Sequence, residues 1–229
     1  MPTVLVSTLT ASGETSIGSY SLCFPYYVAG KNYYAMLLEC RNSSNTAQNI
    51  LRSGTCALNF IEDSRANFKE AVRLGFPGET SEEKMRSCSF TLEAGQAGGD
   101  TPRPLVVKEA YQVFECTWQS DLENAYEDIP KVGQLDGVEP PYRNFNGITS
   151  KFGVHFILKV DKILMKERFY NAIVGGVKAG SFPRVPVDYG YRDNTHFWYT
   201  RFTRPIAERI PSGRALELSS VTYAACRID

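Results

Sequence analysis

Between residues 3 and 61 the chain runs through four β-branched or apolar stretches with little chain between them, and this constrains the fold more than any other feature. "TVLVSTLT" (3–10) ends in Ala11-Ser12-Gly13, a turn signal, and "TSIGSYSLCF" (15–24) follows at once, the pattern of a β-hairpin. "YYAMLLEC" (33–40) is apolar on both faces, and "TCALNFI" (55–61) reads as a fourth strand. Two long strand patterns come later. Residues 104–118 alternate in their second half, with Ala110, Gln112, Phe114 and Cys116 against Tyr111, Val113, Glu115 and Thr117; residues 151–167 are long enough to bend midway. Helical patterning is sparse: a moderate amphipathic run over 62–74, ended by Gly75, and a short polar helix over 81–86. Dominant strands, few short helices and mostly tight connections predict a mainly β fold, an antiparallel barrel decorated with helices.

Composition narrows the function. At 229 residues the chain is long enough for one sizeable domain, or one core with an added flap. Lys plus Arg equals Asp plus Glu, 25 against 25, so the basic excess of a nucleic-acid binder is missing. No apolar run approaches the ~20 residues that span a bilayer, and the chain opens on strand-like sequence with no signal-peptide pattern. The expectation is a cytoplasmic protein with neither a nucleic-acid nor a membrane partner. Six cysteines form no C-x-x-C pair and several sit in apolar runs, which predicts buried free thiols in a reducing compartment and an unused sequon at Asn42-Ser43-Ser44. Two histidines are too few for a His-based zinc site, and no metal site is expected. Walker, G-x-S-x-G and G-x-G-x-x-G signatures are absent; the glycines of 175–180 have the wrong spacing for a dinucleotide turn and read as a flexible loop.

Two segments stand apart from the strand pattern. Residues 119–147 are acidic, rich in Pro and Gly, and carry Tyr126, Tyr142 and Phe145; they form an insertion unusually long for a plain loop. The tail from about 182 is aromatic and Arg-rich.

The polar stretch "RNSSNTAQNILRSG" (41–54) poses the functional question. If a helix opens near Thr46, Asn45 caps it and Gln48 reaches back in a variant of the capping box. That leaves Arg41, Ser43, Ser44, Thr46 and Asn49 unexplained. Hydroxyls, the free N–H groups of a helix start and a guanidinium together make a phosphate cradle. On these residues alone, cap and cradle both stay open. "GSYSLCF" (18–24) sets small polar side chains at the rim of a barrel strand, where a flat ligand can approach the backbone; an ordinary polar strand face has the same pattern.

Taken in order, Ser7-Thr8, Gly13, Ser19, Ser21, Phe24, Thr46, Asn49-Ile50, Gly54 and Leu58-Asn59 resemble the entry segment of the flavin reductase-like, FMN-binding split-barrel family. Lys84 to Thr91 is similar to that family's lysine-containing segment, and 104–116 and 154–163 to two of its strands, so the likeness covers about 3–118 and 150–167. The resemblance implies a single domain over 1–229: a six-stranded antiparallel Greek-key split barrel that forms homodimers and binds FMN near the dimer interface. By position, Asn45, Thr46 and Asn49 would meet the phosphate, and Arg41 and Lys84 would offset its charge of about two negative units. Ser19, Tyr20, Ser21, Leu22 and Cys23 would run along the flavin ring through backbone groups, His155 would lie near the phosphate or the ribityl chain, and Tyr189 or Arg192 would cover the ring. The implied activity passes hydride from NADH or NADPH to flavin, then electrons to free flavin, a partner oxygenase or oxygen. A flavin needs no protein acid or base for this, so no catalytic residue is expected.

Each assignment has a plainer counterpart: Lys84 as a solvated charge, His155 as a core histidine, Cys23 as a packing residue. His196 and Trp198 stay unassigned. The insertion and the tail depart from the family's pattern. Four alternatives remain open: a non-catalytic flavin carrier or sensor, a related split-barrel oxidase acting on a phosphorylated vitamin, a barrel binding an apolar ligand, and a member that has lost flavin.

Overall fold

The computed structural model describes residues 3–26, 28, 31–122 and 146–174, and three strands of the tail. In chain order the elements are β1 (Val4–Leu9), β2 (Thr15–Tyr20), β3 (Cys23–Tyr26), β4 (Ala35–Arg41), α1 (Asn45–Ser53), β5 (Thr55–Phe60), α2 (Arg65–Gly75), α3 (Ser81–Arg86), β6 (Leu92–Glu93), β7 (Val106–Val107), β8 (Gln112–Trp118), β9 (Gly147–Ile148), β10 (Gly153–Met165), α4 (Glu167–Val174), β11 (Asp188–Tyr191), β12 (His196–Phe202) and β13 (Val221–Arg227).

The main sheet is antiparallel, in the order β2-β1-β5-β8-β10-β4-β3, with β9 beside β10. Its two outer strands are consecutive in the chain, joined only by Ser21 and Leu22. The sequence pattern reads 15–24 as one hairpin strand. Instead the chain breaks after Tyr20: β2 pairs with β1, and β3, which runs on to Tyr26, pairs with β4, while the Glu39 N–H donates to the Leu22 carbonyl at 2.9 Å. Periodicity alone cannot show this, because the alternation continues through the break. The sheet therefore curls onto itself. With β2 and β3 counted as one interrupted strand, six strands form an antiparallel split barrel with Greek-key order.

Both faces of β1 and β5 are buried, which explains why neither alternates cleanly in sequence. Val4, Val6, Leu38, Leu58, Phe156 and Leu158 fill the barrel, joined there by Ala47 and Ile50 of α1. Leu5, Ile17 and Ala57 point the other way, against Ala71 and Leu74 of α2 and Val106 and Val107 of β7. Each fully buried side chain of this kind contributes about 1.5–3 kcal/mol. Two polar groups at the centre are satisfied. Asn59 donates through Nδ2 to the Leu5 carbonyl (3.0 Å) and to Ser7 Oγ (2.9 Å), and its Oδ1 accepts the Val107 N–H (2.8 Å). The buried Glu115 accepts the N–H groups of Gln96 and Ala97, each at 2.8 Å, and so pins the 92–103 excursion to β8.

The expected strand over 104–118 is also two pieces. Val106–Val107 pairs with Leu92–Glu93, a turn intervenes with the Ala110 N–H on the Val107 carbonyl (3.1 Å), and only then does β8 begin. The long strand β10 does bend: its pairing with β8 shifts register between Val160 and Lys162, a bulge. The helices lie at Arg65–Gly75 and Ser81–Arg86, the second with a complete capping box between Thr80 and Glu83; α4 was not expected. Cys23, Cys40, Cys56 and Cys116 are buried free thiols, and Cys88 is a half-buried one. Residues 123–145 of the insertion lie outside the described residues; Asn146, bonded to Trp118 Nε1 (2.8 Å) and to the Gln119 carbonyl (2.7 Å), returns the chain beside the point where it left. The glycine loop 175–180 also lies outside them. The tail strands form a three-stranded antiparallel sheet in the order β11-β12-β13. Among the described residues no helix is long and apolar enough to cross a membrane, and no cluster of His, Cys, Asp or Glu suits a metal ion.

Candidate functional site

A cavity of about 760 Å³ opens where β2 breaks away from the barrel. Its walls are the second half of β2, the end of β4, the start of α1, the link between α2 and α3, and the turn at 150–153. This volume lies within the ~300–1,000 Å³ typical of small-molecule pockets.

The start of α1 differs from the expected cap. Ser44, not Asn45, is the N-cap: its Oγ accepts the Ala47 N–H at 3.1 Å. Gln48 donates to the Asn42 carbonyl (2.6 Å) instead of closing a box. The helix thus begins one residue early, and its first turn presents the N–H groups of Asn45 and Thr46 without intrahelical partners, at the positive end of the helix dipole. Asn45 Nδ2 donates to the Glu79 carbonyl at 3.2 Å, tying this turn to the 76–80 link. At the far end, Gly54 adopts φ 71° and returns its N–H to the Ile50 carbonyl (2.8 Å), a left-handed cap that suits glycine.

Helical phase then sorts the polar residues. Thr46 is buried and lines the cavity. Asn49 does not: its Nδ2 donates to Thr8 Oγ1 (3.0 Å) and its Oδ1 accepts from Arg52 Nη2 (3.0 Å), while Arg52 also donates to the Leu9 carbonyl. Asn49 and Arg52 clamp α1 to β1.

Of the residues singled out by the sequence, Ser19, Tyr20, Ser21, Leu22, Arg41, Asn45, Thr46 and Lys84 come together around the cavity. Cys23 faces the barrel interior opposite Leu38. His155 lies opposite Glu39 on the outer face, with Nδ1 2.6 Å from Thr149 Oγ1 and Nε2 3.7 Å from Glu39 Oε2; Glu39 reaches the cavity wall, His155 does not. Arg192 lies outside the described residues, as does the side chain of Tyr189. Lys84 is no solvated charge: only 9% of it is exposed, its Nζ donates to the Leu74 carbonyl (3.1 Å), and burial holds its pKa below the ordinary lysine value.

Two further features lay hidden in the sequence. Gly18 leaves room for Thr46, since a Cβ there would stand 2.5 Å from Thr46 Oγ1. The Gly75-Phe76-Pro77-Gly78 link, legible only as loop punctuation, forms a wall. Ser19 Oγ is buried in the same lining with no hydrogen-bond partner among the described residues.

No known family's sequence profile matches the chain, and no curated protein sequence matches it. Solved structures do. Flavoredoxin from Methanosarcina acetivorans superposes with a TM-score of 0.56 at 16% identity, covering 87% of this chain and 84% of that one. The 2-nitrobenzoate 2-nitroreductase of Pseudomonas fluorescens gives 0.60 at 15%, covering 93% and 86%. Nitrilotriacetate monooxygenase component B from Bacillus cereus gives 0.52 at 15%, covering 72% and 70%. The chain therefore has the flavin reductase-like split-barrel fold.

Proposed function

We propose that this protein is a flavin reductase-like flavoprotein that holds FMN in the cavity at the break of β2. One observation carries the reading. The cavity joins two unlike ends: the start of α1, where the Asn45 and Thr46 N–H groups lack intrahelical partners, with two cationic side chains in the same lining, and the rim where β2 stops pairing, with Ser19 Oγ, unpartnered among the described residues, beside it. The first suits a phosphate, the second a flat heteroaromatic ring. The N–H groups of Asn45 and Thr46 and the Thr46 hydroxyl hold the phosphate, with Arg41 and Lys84 offsetting its charge. Ser19, Tyr20, Ser21 and Leu22 border the ring. The flavin supplies the redox chemistry, taking hydride from NADH or NADPH and yielding electrons to an acceptor, so the protein's part is binding, orientation and exclusion of water.

The acceptor in this proposal is free flavin, oxygen or an oxygenase; the oxygenase option draws on the likeness to a monooxygenase component. The active species is a homodimer whose second copy covers Leu22 and Phe152, 49% and 71% exposed at the cavity rim. Sedimentation of the wild type against Phe152→Glu tests this: a monomeric wild type removes the dimer from the proposal.

The central test is an absorbance spectrum of protein purified with added FMN, recorded anaerobically before and after NADH or NADPH. Bound flavin that bleaches supports the reductase. Bound flavin that stays yellow leaves a carrier or sensor, and protein that retains no FMN ends the proposal.

A further inference from the structure

We infer that a collar of hydrogen bonds closes the anion end of this cavity, so that it accepts a terminal phosphate monoester and turns away a phosphate that continues into a second nucleotide. The inference rests on the flavin reading and goes beyond it, since it names the residues that set the choice of FMN over FAD.

Two asparagines flank the start of α1, and each reaches across to a different loop. On one side Asn42 donates its N–H to the Phe152 carbonyl (3.0 Å) and its Nδ2 to the Lys151 carbonyl (2.7 Å). Its own carbonyl accepts Gln48 Nε2 from within the helix (2.6 Å), so Asn42 is held from both directions. The turn it meets is fixed in its own right, because Ser150 Oγ accepts the N–H groups of Phe152 (3.3 Å) and Gly153 (2.8 Å). On the other side Asn45 Nδ2 donates to the Glu79 carbonyl (3.2 Å). Both loops line the cavity, as do Ser43 and Ser44 between the two asparagines in sequence.

A phosphate held by the N–H groups of Asn45 and Thr46 therefore sits between two bridges. A monoester such as that of FMN ends there. It brings three terminal oxygens to the two N–H groups, the Thr46 hydroxyl and the cations. The inner phosphate of a dinucleotide has only two terminal oxygens and a smaller charge, and its remaining oxygen must carry the chain outward. The asparagine bridges lie on the exposed rim, across that way out. Glu79 adds a charge effect. Burial lowers the Lys84 pKa, and the Glu79 carboxylate works against that shift, which puts its charge within reach of this part of the wall. A second phosphate leaving on that side meets a like charge.

The experiment titrates wild type, Glu79→Gln and the double variant Asn42→Ala with Asn45→Ala against FMN and against FAD by isothermal calorimetry, with thermal melts alongside. Wild type is expected to hold FMN about tenfold more tightly than FAD, or better. The FMN-to-FAD affinity ratio is expected to shrink about threefold in Glu79→Gln, and at least as much in the double variant, through a gain in FAD binding. A wild type that takes FAD as tightly as FMN, or a ratio that is unchanged in the variants or changed only by a loss of FMN, would overturn the collar and leave the flavin site standing. A wild type that binds neither flavin would overturn both. Should the double variant fail to fold, wild type titrated with the methyl ester of FMN takes its place: the added methyl is expected to weaken binding about tenfold, and an ester held as tightly as FMN would count against the closed end.

Discussion

Lys84 Nζ lies 3.1 Å from the carbonyl oxygen of Leu74, so the short helix α3 closes the end of α2 with a buried ammonium. A cation there complements the negative end of the α2 dipole, and it also stands in the cavity wall. The structural role and the proposed binding role meet in one side chain, and pH separates them.

Burial lowers the Lys84 pKa, so between its folded and unfolded values the folded chain binds fewer protons than the unfolded one. The stability it confers therefore rises with pH across that alkaline window. Bound phosphate favours the charged form and reverses the bias. FMN affinity is expected to fall as pH rises from neutral to about 10, and the slope to vanish in Lys84→Met. Fluorescence titrations over that range check this; an unchanged slope in the variant would show that another group carries it.

Ser44 and Thr46 both line the cavity, and the proposed function gives them different duties. Ser44→Ala removes the cap and is expected to cost about 1 kcal/mol of stability. Thr46→Ala is expected to weaken FMN by about 1–3 kcal/mol with a smaller change in melting temperature. Measuring both quantities on both variants separates cap from cradle.

At Gly18 the space for a methyl group is already taken by Thr46 Oγ1 and the Tyr20 ring. Gly18→Ala is expected to cost about 1–3 kcal/mol of stability through overpacking and to abolish tight FMN binding. Calorimetry and flavin titration test the two parts; a variant as stable as wild type would mean that Thr46 moves aside freely.

Asn59 is fully buried and joins three strands. Replacing it by Leu strands the Val107 N–H and is expected to cost about 1–3 kcal/mol, read as a shifted urea midpoint.

Much of the barrel was legible because β1, β4, β5 and β8 are short, apolar and bounded by turn residues. What pattern could not show was the break at Ser21 and Leu22 or the interruption at 108–111, since both depend on which neighbour a strand pairs with. In the polar stretch the residue types pointed to the right element, but Asn49 lies a turn further along α1 than Thr46, about 4.5 Å down the axis and away from the helix start. That is why Thr46 lines the cavity while Asn49 bonds Thr8. Lys84 looked solvated because α3 is polar in sequence; its burial comes from packing with the end of α2 and with β2.

The two-residue link between β2 and β3 has a consequence for the molecule's company. A single span of chain serves both margins of the sheet, and α2 and α3 cover the β2 side. The two margins therefore meet at one link instead of standing at opposite ends, which leaves less open ladder for a stray extended polypeptide to lengthen.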